Sequence, residues 1–277
     1  MTNWDKYFTE ATFRYIDHSK PENQQAPMAS FAIDDALAIS VGDGDSAPTI
    51  RLWVHDNTVM LGIPDARLPY IEDGTEWLLA NNFQPTVRNS GGLAVLLDSG
   101  VLNVSLILPD AKQLGIHDGY QMMVAFIQYL FKDLTDEIQA FEVVGSYCPG
   151  DYDLSINRKK FAGISQRRVK NGSAVQIYLC VEGDGVERAE IVKEFYNRGL
   201  RGEKGKFDYP SIVPETMASL AQLLDAELTV SSVAERIQNS LKQLNNTIVY
   251  DGLNEKEQLN FEKRLKQMKD RNQKALG

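Results

Sequence analysis

Two residues in one short stretch could do nucleophilic chemistry together: Cys148 and, twelve positions on, Lys160. Cys148 lies in Gly145-Ser146-Tyr147-Cys148-Pro149-Gly150-Asp151-Tyr152-Asp153 and is one of only 2 cysteines in the chain. Pro149 and Gly150 mark a tight turn, which lifts a thiol clear of regular structure. Asp153–Ile156 alternates as a strand, Asn157-Arg158 reads as a turn, and Lys160–Gln166 reads as the returning strand. That hairpin sets Ser155 opposite Lys160 and brings the lysine within a few residue steps of the cysteine turn. A free thiol has a pKa of about 8.5, so only a few per cent is thiolate near neutral pH. A nearby ammonium favours the thiolate, and a desolvated lysine can also shuttle a proton. Such a pair suits acyl transfer through a thioester. Spacing leaves the plainer reading open: a lone cysteine is commonly a small core hydrophobe, and a hairpin lysine is commonly solvated.

The elements that must position this pair follow from periodicity. Ser30 is a plausible N-cap for a helix over Phe31–Ser40, with Ile33, Leu37 and Val41 on one face. Asp34 and Asp35 then read as acids favouring the dipole of the first turn. Ile50–Val54 and Val59–Ile63 read as a hairpin around His55-Asp56-Asn57, with Trp53 as a core residue. Tyr70–Asn81 reads as a helix with Leu78 and Leu79 inward. Arg88-Asn89-Ser90-Gly91-Gly92 follows; paired glycines let backbone approach a ligand and leave amide donors exposed, although a plain hairpin loop would look the same. Leu102–Leu108 alternates as a strand. Asp118 can cap a helix through about Asp133, and Phe141–Val144 reads as the strand delivering Cys148. Asn171-Gly172 is a two-residue hairpin signal before a strand over Ser173–Val181. Cys180 lies on the face of that strand opposite Val175, Ile177 and Leu179 and reads as structural. Beyond it the chain is mostly helical: Glu187–Leu200, Glu215–Leu224, Val230–Leu244 and Glu255–Lys274.

Composition narrows the class. The 277 residues, 43% of them hydrophobic, suffice for one large core or two small ones. No apolar run approaches a membrane span. Met1–Glu10 lacks the basic start and apolar core of a signal peptide. Two cysteines make no disulfide framework, so a reduced, cytoplasmic protein is expected. A net charge of −9 argues against a nucleic-acid binder. His18, His55 and His117 are scattered, without metal-ligand spacing. Arg158, Lys159, Lys160, Arg167, Arg168 and Lys170 fall in an interval with no acid. It reads either as a solvated hairpin face or as a positive patch on an acidic protein.

The run Cys148-Pro149-Gly150-x-Tyr152-Asp153-Leu154-Ser155-Ile156, followed by Lys160-x-x-Gly163-Ile164-Ser165-Gln166-Arg167, resembles the core of the lipoate-attachment transferases. These belong to the biotin/lipoate ligase fold superfamily. Within it the chain is most similar to the octanoyl-[glycine cleavage H protein]:protein N-octanoyltransferases, from about Ser30 to the C-terminal helix. The resemblance implies an α+β fold, a mixed sheet flanked by helices with a helical C-terminal segment. It divides the single unit 1–277 into a catalytic domain over 30–250 and a C-terminal helix over 251–277. By the same resemblance Cys148 carries the acyl group as a thioester and Lys160 lowers its pKa. Arg88, Ser90, Gly91 and Gly92 match the family's Arg-x-Ser/Thr-Gly-Gly signature bordering the acyl site. Trp53 takes the place of a pocket wall, and Asp153 and Gly163 are expected in the substrate site. Leu97 stands where ligases and carrier-protein-dependent transferases usually have histidine, a loss shared by the H-protein-dependent relatives. The implied donor is acylated glycine cleavage H protein. The implied acceptors are lipoyl domains of 2-oxoacid dehydrogenase E2 subunits. No metal, cofactor or ATP is expected, nor a membrane or nucleic-acid partner. Arg167, Arg168 and Lys170 would dock acidic partners. Three alternatives remain: a transferase fed by octanoyl-acyl carrier protein, an ATP-dependent ligase in which Lys160 binds carboxylate and adenylate, and a non-enzymatic acyl-protein binding module.

Overall fold

Apolar residues surround the stretch from Ala29 to Val41 on every side, and a helix of that kind must be buried all round. In the computed structural model, which describes residues 5–9, 12–109, 111–244 and 247–277, this stretch forms the central helix. Met1–Trp4 and Glu10, part of the segment read as lacking a signal peptide, lie outside the described residues.

The elements in chain order are α1 (Lys6–Thr9), β1 (Phe13–His18), α2 (Pro27–Gly42), β2 (Thr49–Trp53), β3 (Thr58–Leu61), α3 (Ile71–Ala80), β4 (Gln84–Val87), β5 (Val95–Leu97), β6 (Val101–Leu108), α4 (Ile116–Phe131), β7 (Gln139–Ala140), β8 (Leu154–Ile156), β9 (Lys159–Val169), β10 (Gly172–Cys180), α5 (Gly185–Leu200), α6 (Leu220–Leu224), α7 (Val230–Leu244), β11 (Ile248–Val249) and α8 (Glu255–Leu276). The fold is α+β. An 8-stranded sheet runs β11-β1-β2-β6-β10-β9-β8-β7, and a 3-stranded sheet runs β4-β3-β5. Both are mixed: β1 is parallel to β2 and β11, and β3 is parallel to β4. α2 packs against β6 and β10 on one side and against α8 on the other. One core cluster, including Met123, Phe126 and Ile127 of α4, covers one face of the large sheet. A second joins Trp53, the small sheet, α5 and Cys180.

Several expected boundaries move, each for a local reason. α2 begins at Pro27, whose fixed φ suits the first helical position, so Ser30 is buried inside the helix rather than capping it. Asp34 and Asp35 are therefore mid-helix. Ile50–Val54 and Val59–Ile63 form no hairpin: β2 joins the large sheet beside β6, while β3 joins the small one beside β4 and β5. Leu79 faces outward at 53% exposure while Leu78 is buried. α4 starts before Asp118, whose carboxylate reaches back to the Gly115 N–H at 2.7 Å. Phe141–Val144 is not a strand; the pairing ends at Ala140, and the Asp153 carboxylate accepts the Val143 N–H. The turn between β9 and β10 is Lys170-Asn171, with Gly172 already paired to Val169. The helix read over Glu215–Leu224 is a short turn at Pro214–Thr216 followed by α6, capped by Ser219.

Candidate active site

The β8–β9 pairing puts Ser155 opposite Lys160, as the hairpin reading predicts. The turn before β8 bends sharply: Cys148 holds a left-handed φ of +46°, uncommon for any residue but glycine. The thiol is half-buried, and the Leu93 N–H points at Sγ from 3.1 Å.

Lys160 is fully buried and lies beneath this turn. Its Nζ donates to the carbonyls of Tyr147 at 2.9 Å and Cys148 at 2.8 Å, and pairs with Asp153 Oδ1 at 2.8 Å. With Ser146 Oγ also in reach at 3.4 Å, its three protons have four acceptors on or beside the turn. Asp153 Oδ2 also accepts the N–H groups of Val143 and Gly150. Burial raises the Asp153 carboxyl, and the Lys160 charge opposes that rise. Lysine and aspartate together hold the backbone that presents the sulfur. The cation in contact with the sulfur is instead Arg88, whose Nη2 is 3.6 Å from Sγ.

Arg88 also ties its own loop, donating to Gly91 O at 3.1 Å and Leu93 O at 2.7 Å. Gly92 has φ +96°, and a Cβ there would stand 2.5 Å from Arg88 Nη2 and 2.9 Å from Cys148 Sγ. The glycine lets loop and thiol come together.

A cavity of about 280 Å³ opens at Cys148. Phe31, Trp53, Met60, Val95 and Leu97 give it apolar walls, and Ser90, Gly91, Gly92 and Asp153 also line it. Trp53 is both core and wall: it is buried, donates from Nε1 to Ser105 Oγ at 2.9 Å, and meets Phe31 edge-on. Ser105 hands the chain to Asp34, which also takes Arg51 Nε and Gln176 Nε2. Gly163 faces Tyr178 across the β9–β10 pair, and a Cβ there would strike the Tyr178 ring at 2.6 Å. Leu97 adds apolar wall and no proton-transfer group. Cys180 is buried and takes a hydrogen bond with Tyr147 Oη at 3.6 Å; burial pushes its thiol up.

The residues expected to dock partners have acceptors inside the chain. Arg167 Nε reaches Asp35 at 3.1 Å, Arg168 reaches the carbonyl of Leu114, and Lys170 pairs with Asp43 at 3.3 Å. Asp35 in turn takes Asn89 Nδ2, so Arg167 is linked to the glycine loop through one carboxylate. Leu93, Met60 and the Asp34 network carried no expectation. Leu93 acts through its backbone, which side-chain patterning does not reveal. Asp34 had a usable sign: two adjacent acids inside an otherwise apolar helix.

Among the described residues no group of three or more His, Cys, Asp or Glu could hold a metal ion. Among them, too, no helix is long and apolar enough to cross a membrane.

The model of the lipoyl protein ligase A/B catalytic domain matches residues 26–242. The chain is 54% identical over 277 residues, 99% of each chain, to an octanoyl-[GcvH]:protein N-octanoyltransferase of Oceanobacillus iheyensis. It is 53% identical over 265 residues, 96% of each chain, to a protein of the same name from Exiguobacterium sibiricum. Among solved structures it resembles a lipoate-protein ligase A bound with ATP, with a TM-score of 0.69 at 18% identity over 93% of this chain and 94% of that one. A putative lipoate protein ligase of T. acidophilum with bound lipoic acid gives a TM-score of 0.68 at 17% identity over 93% and 95%. These two likenesses concern the fold.

Proposed function

The chain belongs to the lipoyl protein ligase A/B catalytic-domain family, and from that membership and the site geometry we propose that it is an acyltransferase moving octanoyl groups from glycine cleavage H protein to acceptor proteins through Cys148. The acceptor is a lysine on a lipoyl domain of a 2-oxoacid dehydrogenase E2 subunit. The observation that carries the nucleophile assignment is the sulfur itself: a cysteine held in a left-handed turn at an apolar cavity, with an N–H and a guanidinium directed at it.

Both neighbours direct hydrogen-bond donors at the sulfur. The thiolate attacks the carbonyl of the donor's octanoyl-lysine amide. The C–N bond breaks, and the departing amine takes up the proton that the thiol gave up. The octanoyl chain lies along Phe31, Trp53, Met60 and Leu97, where each buried methylene contributes about 0.8 kcal/mol. The amine of an acceptor lysine then attacks the thioester carbonyl, the C–S bond breaks, and the proton returns to sulfur. One amide replaces another, so the exchange needs no ATP and runs in either direction.

The test is intact mass after incubation with octanoylated H protein and no nucleotide. Wild type and Cys180→Ala gain one octanoyl mass that hydroxylamine removes, and Cys148→Ala gains none. An adduct that persists in Cys148→Ala overturns the assignment. A strict ATP requirement would place the chain with the ligases.

A further inference from the structure

We propose that Asp65 and Tyr196 are positioning residues for this chemistry: together they clamp the Gly91–Ala94 loop so that the Leu93 N–H faces the Cys148 sulfur. The proposal rests on the reading of Cys148 as the acyl carrier. Neither side chain lines the acyl cavity.

Three links make the clamp. The Ala94 N–H donates to Tyr196 Oη at 3.2 Å, and Tyr196 Oη donates to Asp65 Oδ1 at 2.8 Å. The other carboxylate oxygen, Oδ2, takes the Gly62 N–H at 2.7 Å. Gly62 then backs the loop directly, since a Cβ there would fall 2.0 Å from Gly92 O. One carboxylate therefore fixes the loop at two points, Ala94 through a phenol and Gly92 through a glycine. Arg88 already holds the carbonyls of Gly91 and Leu93. With the carbonyls and the Ala94 N–H taken, the Leu93 N–H is left for sulfur at 3.1 Å.

Protonation supports the direction of the chain. Burial pushes the Tyr196 hydroxyl well above its ordinary value, so it keeps its proton and donates. Burial also raises the Asp65 carboxyl to about 6. Facing Asp65 are the Gly62 N–H, Tyr196 from α5, and the charge of Arg88 from the loop. Tyr209, with Arg67 near it, buttresses the same turn and donates to Pro64 O at 2.7 Å. A carboxyl that gains a proton loses one of its two accepting oxygens, and the clamp loosens.

The experiment follows iodoacetamide alkylation of Cys148 against pH, read by peptide mass, in wild type, Tyr196→Phe and Asp65→Asn. Octanoyl-adduct formation from octanoylated H protein is measured beside it. Tyr196→Phe leaves the Ala94 N–H without its acceptor. It is expected to move the alkylation midpoint to higher pH and slow adduct formation about tenfold, with the donor KM unchanged. Asp65→Asn, close to isosteric, turns an N–H donor toward the Gly62 N–H and shifts both readouts the same way. It is also expected to remove the acid limb that titration of Asp65 near 6 should give wild-type adduct formation. Should Tyr196→Phe melt below the assay temperature, Asp65→Asn carries the test. A wild-type midpoint and rate in both folded variants overturns the clamp. If wild type forms no adduct at all, the carrier reading fails, while the alkylation midpoints still decide the clamp.

Discussion

Lys160 sits where the resemblance puts it, beside the cysteine turn, with contacts that spacing alone does not announce. Resemblance places it beside the nucleophile as an activator of the thiol. In the structure its ammonium is fully buried, on two carbonyls of the Cys148 turn and on Asp153. Removing one partner of a buried pair leaves the other charged and unpaired, at a cost of about 3–5 kcal/mol. Lys160→Met should therefore lower the melting temperature and abolish acyl transfer. Lys160→Met with Asp153→Asn should recover most of the stability, because no charge is stranded, yet stay inactive, because the turn carbonyls have lost their donor. Recovery of activity in the double variant would show that the turn holds its shape without the lysine. The thiol turn at the cavity was legible from Cys148-Pro149-Gly150 and the hairpin after it. Arg88 was legible as a pocket residue but not as the cation on the sulfur, because that contact crosses between two loops far apart in the chain.

At the scale of elements, α8 binds the rest of the chain more closely than its charged sequence suggests. It lies beyond the span matched by the family model. Its Glu257, fully buried, takes both terminal nitrogens of Arg14 from β1 at 3.0 and 2.7 Å. Near its other end Asn272 accepts the Val87 N–H at 2.7 Å and donates to Val87 O at 2.9 Å, completing the edge of β4 as a neighbouring strand would. Val87 is the residue before Arg88. Asn272→Ala should unpair that edge, costing about 1–2 kcal/mol for the two hydrogen bonds. It should also lower kcat/KM for octanoyl transfer, because the loop on the thiol starts there. A thermal melt beside a transfer assay checks both, and a variant with lower stability and wild-type transfer would separate α8 from the site. Most long elements could be read from periodicity: α5, α7, β6 and β10 fall within two residues of expectation. The failures share a cause. β1 and β4 pair in parallel with strands distant in sequence, so no turn announces them. β2 and β3 adjoin in sequence yet enter different sheets, a choice made by packing rather than by the loop between them.

The whole molecule keeps one histidine, His55, out of water and half-covers another, His18. Burial is the main reason that His55 is pushed down to about 3 and His18 to about 4, with the Arg51 charge adding to both. A group whose folded pKa lies below its unfolded value near 6.5 resists protonation only while folded. Its stabilising contribution is intact above pH 6.5 and is lost as pH falls toward the folded value. For His55, 3% exposed, the loss by pH 5 is on the order of 2 kcal/mol. His55→Gln has no proton to take up, so the stability gap between it and wild type should move in the variant's favour as pH drops from 7 to 5. Urea unfolding at several pH values measures that gap, and a gap independent of pH would show that His55 is as easily protonated folded as unfolded. The buried Asp65 works with the opposite sign over part of this range, which is why the comparison is made between variants rather than on one curve. The cavity has a further bearing on how the protein would behave among its partners. Under the proposed function one sulfur, in a cavity that Gly91, Pro149 and Asp151 also line, has to serve both the giver and the receiver of the acyl chain. They must then visit in turn, so initial-rate plots against either protein should give parallel lines, and an excess of either should obstruct the other. The flow of acyl groups would be governed less by how much of each carrier is present than by the ratio of loaded to empty carriers.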